Sequence, residues 1–73
     1  MRHEIVASLE GARVVVTDSI CALEEYNFVL NCWKTIRQER WPLSKEQVSQ
    51  WLHGWNEIDA SQARMLLLCP DQN

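Results

Sequence analysis

Apolar and polar residues alternate between positions 3 and 17, on both sides of Glu10-Gly11. A period of two is typical of a β-strand, and a Gly-containing pair between two such runs indicates a hairpin. With the loop at Glu10-Gly11, Ala7 would face Val14 on an apolar side. A three-residue loop with Gly11 in the left-handed region is the alternative, and it would mix the two sides. The pattern predicts a hairpin over residues 3–17.

The other side of this hairpin is polar except for one pair. Arg13 lies on it, and Val6 would face Val15. A lone hairpin is marginal in water, so its apolar side must pack against the residues that follow. A two-stranded sheet also leaves backbone groups open at an edge. We therefore expect Val6, Val15 and Arg13 to form one candidate partner-binding surface.

A different period follows Thr17-Asp18-Ser19, whose side-chain oxygens are suited to capping a helix. No Gly or Pro occurs between Ile20 and Arg40, and apolar residues recur there in steps of four and three. This spacing is typical of an amphipathic helix, and a proline at position 42 would end it. The pattern predicts one long helix over residues 19–40, with Trp33 on its buried stripe.

Phe28 lies on a second stripe of this predicted helix, together with two cysteines. We expect the hairpin to cover that stripe; otherwise Phe28 is a partner-facing surface. Cys21 and Cys32 would be about 16 Å apart along the helix, whereas bridged Cα atoms lie within about 7 Å. With Cys69 as a third cysteine, the chain is expected to carry free thiols in a reducing cytoplasm.

Two shorter helices are predicted after the proline. Ser44 and Gln47 have the spacing of a capping box, which opens a helix over residues 45–54 with Trp51 and Trp55 on its apolar stripe. Asp59 and Gln62 repeat this spacing before a third helix over residues 60–68. The expected fold is α+β: a single domain, 1–73, in which an N-terminal β-hairpin packs on one long helix and two shorter helices.

Composition and charge narrow the function. The chain has 73 residues, a formal net charge of −3, two histidines far apart and no Gly-rich phosphate loop. No spacing of His, Cys, Asp or Glu matches a metal site, so we expect no catalytic residue, no metal, no cofactor and no small-molecule substrate. The apolar runs are too short to cross a membrane, and no signal peptide is recognised, which predicts a cytoplasmic protein without membrane contact.

The positive charges are concentrated in one segment. Residues 34–45 carry a net charge of +3, whereas the segments before and after each carry −3. The predicted long helix would therefore end in a basic corner beside Trp41, the tryptophan that the apolar stripes do not include. Because Trp and Arg are enriched at binding hot spots, Arg37, Arg40 and Trp41 form a second candidate partner-binding cluster.

The stretch Val48-Ser-Gln-Trp-Leu-His-Gly54 resembles the recognition-helix region of Cro-type helix-turn-helix repressors. That resemblance implies DNA binding by the helix over residues 44–54. The net negative charge opposes it, because phosphate contacts need clustered cations. Under this alternative the residues near the base edges would be Gln47, Ser49, Gln50 and His53.

In length, charge, cysteine content and hairpin-plus-helix organisation, the chain is similar to small RNA polymerase-binding transcription regulators of lytic phages, of the type found in a Xanthomonas phage. The resemblance implies binding to the large subunits of bacterial RNA polymerase, displacement of σ factor, and inhibition or reprogramming of transcription, including antitermination. It assigns no residue. The expected function is therefore a non-enzymatic, phage-type regulator acting by protein contact in the bacterial host cytoplasm. A repressor-like DNA binder and an inhibitor of another host protein are the alternatives.

Overall fold

In a computed structural model, the chain forms an antiparallel sheet followed by two helices. The structure describes residues 2–7 and 11–68, and the backbone alone for residues 3–7. The four strands lie in chain order across the sheet. The α+β class is confirmed. The elements are β1 (Arg2–Ala7), β2 (Ala12–Thr17), β3 (Ile20–Asn27), β4 (Cys32–Arg40), α1 (Lys45–Trp51) and α2 (Glu57–Leu67).

The predicted long helix over residues 19–40 is wrong, since this segment forms the hairpin of β3 and β4. The chain enters β3 through a turn made by Asp18 and Ser19, which have φ of 50° and 70°. Thr17 pairs with Ile20 across it, so it is a two-residue connection between β2 and β3. Left-handed φ at both central residues is the geometry that matches the twist of antiparallel strands. The residues expected to cap a helix therefore form a hairpin turn.

Two asparagines make the second turn, between β3 and β4. The side-chain Oδ1 of Asn27 accepts hydrogen bonds from the backbone N–H groups of Val29 (2.9 Å) and Leu30 (3.0 Å). Asn31 has a φ of 55°. Asn favours turns because its side chain can bond the backbone two residues on and because it tolerates the left-handed region. Such a turn interrupts any helix through residues 27–31.

The N-terminal hairpin is present, but its register differs by two residues from the predicted one. Ala7 pairs with Ala12 rather than with Val14. Of the predicted loop pair Glu10-Gly11, only Gly11 lies within the described residues. Gly11 has a φ of 62°, the conformation that the alternative loop required. A shift of two residues keeps each position on its side of the sheet. Ala12 and Val14 are accordingly buried, as the alternation predicts.

Helix α1 begins with the predicted capping box. Ser44 Oγ accepts from the backbone N–H of Gln47 (3.1 Å), and Gln47 Oε1 accepts from the backbone N–H of Ser44 (3.0 Å). The helix ends at Trp51, earlier than predicted, and Gly54 has a φ of 88° in the turn that follows.

Helix α2 begins earlier than the predicted residue 60, because its N-cap is Asn56. The Asn56 side chain accepts from the backbone N–H of Asp59 at 2.9 Å. Asp59 is therefore the third helical residue, and its spacing to Gln62 does not mark the helix start. The helix ends at Leu67, one residue before the predicted end.

The core lies between one face of the sheet and the two helices. Helix α2 packs across β1 and β2. The Leu43 backbone N–H donates to the carbonyl of Leu67 (3.0 Å), which ties the segment before α1 to the end of α2. The buried residues of this cluster are Val14, Cys21, Leu43, Val48, Trp51, Leu52, Ala60, Ala63 and Leu67.

Candidate partner-binding surface

The opposite face of the sheet carries a polar row across three strands. Arg13 on β2 pairs with Glu24 on β3, which in turn lies opposite Thr35 on β4. Arg13 Nε lies 2.7 Å from Glu24 Oε1, and Thr35 Oγ1 donates to Glu24 Oε2 at 3.1 Å. Both charged side chains are largely buried. The predicted binding residue Arg13 is therefore held within the sheet by an ion pair.

Aromatic rings continue this row towards the β3–β4 turn. The Arg13 guanidinium lies 4.2 Å from the centroid of the Trp33 ring, a distance at which a cation is attracted to the ring face. Trp33 and Tyr26 meet edge-to-face at 5.3 Å, and Tyr26 and Phe28 do so at 4.9 Å. The expectation that Trp33 belongs to the core beneath the helices is wrong, because it lies on the other face of the sheet.

The row ends at an exposed turn, which we call the apolar tip: Phe28, Val29 and Leu30. Their exposed fractions are 76%, 88% and 69%. The turn is held in place by the Asn27 side chain, and the Tyr26 hydroxyl donates to Asn31 Oδ1 at 3.4 Å. Three large apolar side chains thus project into solvent from a hydrogen-bonded loop. The expectation that the hairpin covers Phe28 is therefore wrong, since its side chain is largely exposed.

The predicted surface around Val6 and Val15 is not exposed at Val15, whose exposed fraction is 7%. The reason is its position on an inner strand: Val15 lies between Glu4 of β1 and Ala22 of β3. The backbone of Val6 pairs with Arg13, and the Val6 side chain lies outside the described part of the structure. The expectation of an exposed apolar spot is therefore wrong for Val15.

The second predicted cluster is also rearranged, because no helix ends there. Arg37 lies opposite Leu23 and Arg40 opposite Ile20 along β4. Residues three apart on a strand point to opposite faces, so these two cations do not form one corner. Both remain exposed on the last strand of the sheet.

Trp41 follows β4 and is bound to the helical layer. Its indole Nε1 donates to the backbone carbonyl of Leu66 at 2.8 Å, and its ring packs against the core cluster while remaining partly exposed. Its backbone N–H donates to the carbonyl of Ser19 at 2.8 Å. The structure thus gives Trp41 a role in joining the sheet to α2, whereas a free anchor beside Arg37 and Arg40 was expected.

Two of the three cysteines are described, and both are free. Burial raises the pKa of the Cys21 thiol from 9.0 to about 11, which keeps it protonated and unreactive at neutral pH. Cys32 is exposed at the start of β4, and Cys69 lies outside the described residues.

Within residues 2–7 and 11–68 there is no group of three or more His, Cys, Asp or Glu side chains placed to hold a metal ion. The same part of the chain contains no helix of the length and apolarity that crossing a bilayer requires.

Comparisons with protein-family models, with curated proteins and with solved structures give no match to this chain. The assignment of a candidate binding surface therefore rests on the geometry of the described residues alone.

The apolar tip was not predicted from the sequence as a binding surface. The sequence does contain a signal for it, because three apolar residues stand between two asparagines, Asn27 and Asn31.

Proposed function

We propose that this chain is a non-enzymatic regulator that acts by binding another protein through the apolar tip. The exposure of Phe28, Val29 and Leu30 on a hydrogen-bonded turn carries this proposal. Contiguous exposed apolar side chains mark interaction sites, and an anchor that is already ordered loses little conformational entropy on binding.

We propose bacterial RNA polymerase as the partner, with contact to its large subunits. The support is the similarity in length, charge and organisation to the polymerase-binding regulators of lytic phages. In this mechanism the apolar tip enters a small apolar pocket of the polymerase, and the rest of the chain then occupies space that σ factor needs. Transcription would be inhibited or reprogrammed because σ factor is excluded from the polymerase. Binding of the chain to an elongating polymerase would lead to antitermination.

A lipid bilayer is less well suited to the tip than a protein pocket. The tip offers three apolar side chains, and the nearest charged residues along the chain are Glu24 and Glu25 on one side and Lys34 on the other. Peripheral membrane binding usually combines a larger apolar surface with several cations that attract anionic lipids. An apolar protein pocket needs no such cluster.

The DNA-binding alternative would use the exposed residues Ser49, Gln50 and His53. Helix α1 follows β4 and the short segment 41–44 rather than another helix. Helix-turn-helix proteins place a first helix across the backbone before the recognition helix. Glu46 in the first turn of α1 would also face the phosphates with the wrong charge.

The test compares two double variants that remove equal numbers of exposed apolar side chains. Val29→Ser with Leu30→Ser changes the apolar tip. Ile58→Ser with Met65→Ser changes α2, where both side chains are also largely exposed. Each tagged protein is incubated with purified bacterial RNA polymerase at about 0.15 M ionic strength, and the dissociation constant is measured. Losing two anchors is expected to cost about 2 kcal/mol or more, which is roughly 30-fold in affinity.

The expected result is binding by the wild type and by the α2 variant, with weak binding by the tip variant. Equal affinity of all three proteins would contradict the role of the tip. If the chain does not bind polymerase but binds another purified host protein through the tip, the proposed partner is wrong and the chain is an inhibitor of that other protein. Retention of duplex DNA that falls steeply with salt would favour the repressor-like alternative.

A further inference from the structure

The strand β4 forms one edge of the sheet. Within the described residues it pairs with β3 alone, from Cys32 to Arg40, with Ile36 as the additional residue at a register irregularity. All of its side chains except Trp33 are exposed. The outer side of such a strand presents unpaired N–H and C=O groups, which form a template for an added strand.

The charge of this edge is opposite to that of the whole chain. Lys34, Arg37 and Arg40 outnumber Glu39, which leaves a net charge of +2, whereas the 73 residues together carry −3. Within the described part of the chain, none of these three cations is held in an ion pair. Arg37 and Arg40 lie on opposite faces, so positive charge borders the edge on both sides.

This charge pattern selects among the strands that could pair with β4. A second copy of β4 would bring a +2 edge against a +2 edge, and like charges on neighbouring strands are destabilising. The register irregularity between Leu23 and Glu24, where β4 has an additional residue, further disrupts flat self-pairing. An acidic strand would instead gain attraction from these cations, which have no ion-pair partner among the described residues.

We propose that β4 receives an extended, acidic segment of the partner as a fifth strand. This inference rests on the proposed function, because it names the chemistry of the protein that the apolar tip binds. One residue, Asn31, separates the tip from Cys32, the first residue of β4. A segment paired along the edge would therefore end beside Phe28, Val29 and Leu30, where apolar residues of the partner would contact them.

The first test uses a probe peptide of the length of β4, 9 residues, built from Glu, Val and Thr with blocked ends. One control peptide has Lys in place of every Glu, and another has a central Pro that prevents strand pairing. Each is titrated into the full chain, and backbone amide shifts and hydrogen exchange are followed by NMR. The acidic peptide is expected to shift and protect amides of β4, and neither control should do so.

Charge-reversal variants test the same edge. Lys34→Glu with Arg37→Glu is expected to weaken acidic-peptide binding by about 30-fold, because two exposed attractions become two repulsions. Arg64→Glu is the control for a single charge reversal on an exposed side chain of α2, the helix that packs over β1 and β2. It should leave peptide affinity within about twofold of the wild type, because the interaction of distant exposed charges is screened by salt. Thermal unfolding of each variant verifies that the fold is retained.

Unchanged β4 amides at saturating acidic peptide, or equal binding of the Glu and Lys peptides, would overturn the inference. The affinity of the edge variant (Lys34→Glu with Arg37→Glu) and of the tip variant for the partner protein distinguishes failure of this inference from failure of the proposed function. If the edge variant binds the partner as the wild type does while the tip variant does not, the strand-addition inference fails and the proposed function stands. If the tip variant binds as the wild type does, the proposed function fails.

Discussion

Replacing Ser19 by Gly is expected to stabilise the protein. Ser19 has a φ of 70° in the turn between β2 and β3, and an L-residue in this region costs about 1–2 kcal/mol. Gly removes that cost but loses about 0.5–1 kcal/mol more backbone entropy on folding. The hydrogen bond that the Ser19 carbonyl accepts from Trp41 involves backbone atoms and is kept. The net expectation is a gain of about 0.5–1 kcal/mol in the free energy of unfolding.

Urea denaturation followed by far-UV circular dichroism measures this change, with a matched substitution as control. Ser49→Gly makes the same chemical change at an exposed helical position of α1 and should cost about 0.5 kcal/mol. In thermal unfolding the Ser19 variant should melt roughly 2–8 °C higher than the wild type. If residues 19–40 were a helix, both substitutions would destabilise. A lower midpoint for Ser19→Gly would therefore refute the turn and the hairpin that follows it.

Two further perturbations address the core and the thiols. Leu67→Ala removes a fully buried side chain and should lower the free energy of unfolding by about 2–5 kcal/mol, and a urea midpoint close to that of the wild type would contradict its place in the core. In site-resolved alkylation at about pH 8, the exposed Cys32 should react while Cys21, with its pKa raised to about 11 by burial, should stay protected until unfolding. Because unfolded Cys21 ionises at a lower pH than folded Cys21, its contribution to stability should be lost as pH rises from 9.0 to about 11; a constant free energy of unfolding across that window would contradict the burial.

Local signals in the sequence were sufficient where the interaction that fixes an element is itself local. The capping box of Ser44 and Gln47 joins residues three apart, so its spacing predicts the start of α1 directly. The division of the first hairpin into two sides also follows from alternation alone. Its register was not predicted, because Glu10-Gly11 is a weak turn signal and alternation alone allows shifts by two residues.

The segment 20–40 shows why pattern alone chose the wrong element. Its apolar spacing fits a helix, while its β-branched and aromatic residues, such as Ile20, Tyr26 and Ile36, fit strands equally well. Asp18-Ser19 is compatible with a helix N-cap and with a hairpin turn. What decides between them is backbone pairing with β2, from Thr17 with Ile20 at the turn to Ala12 with Glu25 at the far end, which the apolar spacing of residues 20–40 alone does not reveal.

The wrong helix over residues 19–40 also made the second predicted binding cluster wrong. On a helix, Arg37, Arg40 and Trp41 share one end, whereas on a strand they separate, and Trp41 turns to the Leu66 carbonyl. The sequence predicts exposure of Phe28 only as an alternative, because its exposure depends on which element contains it. The apolar tip thus became visible only with the hairpin in place.

The two hydrogen bonds donated by Trp41 allow this one residue to show whether the sheet and the helices unfold together. Its main-chain N–H is fixed to the turn before β3, while its indole N–H is fixed to the last turn of α2. If the helices detach as a unit from an intact sheet, the indole proton exchanges with solvent well before the amide proton does. If the two layers separate only by complete denaturation, both protons exchange with the same free energy, and the chain behaves as a single folding unit.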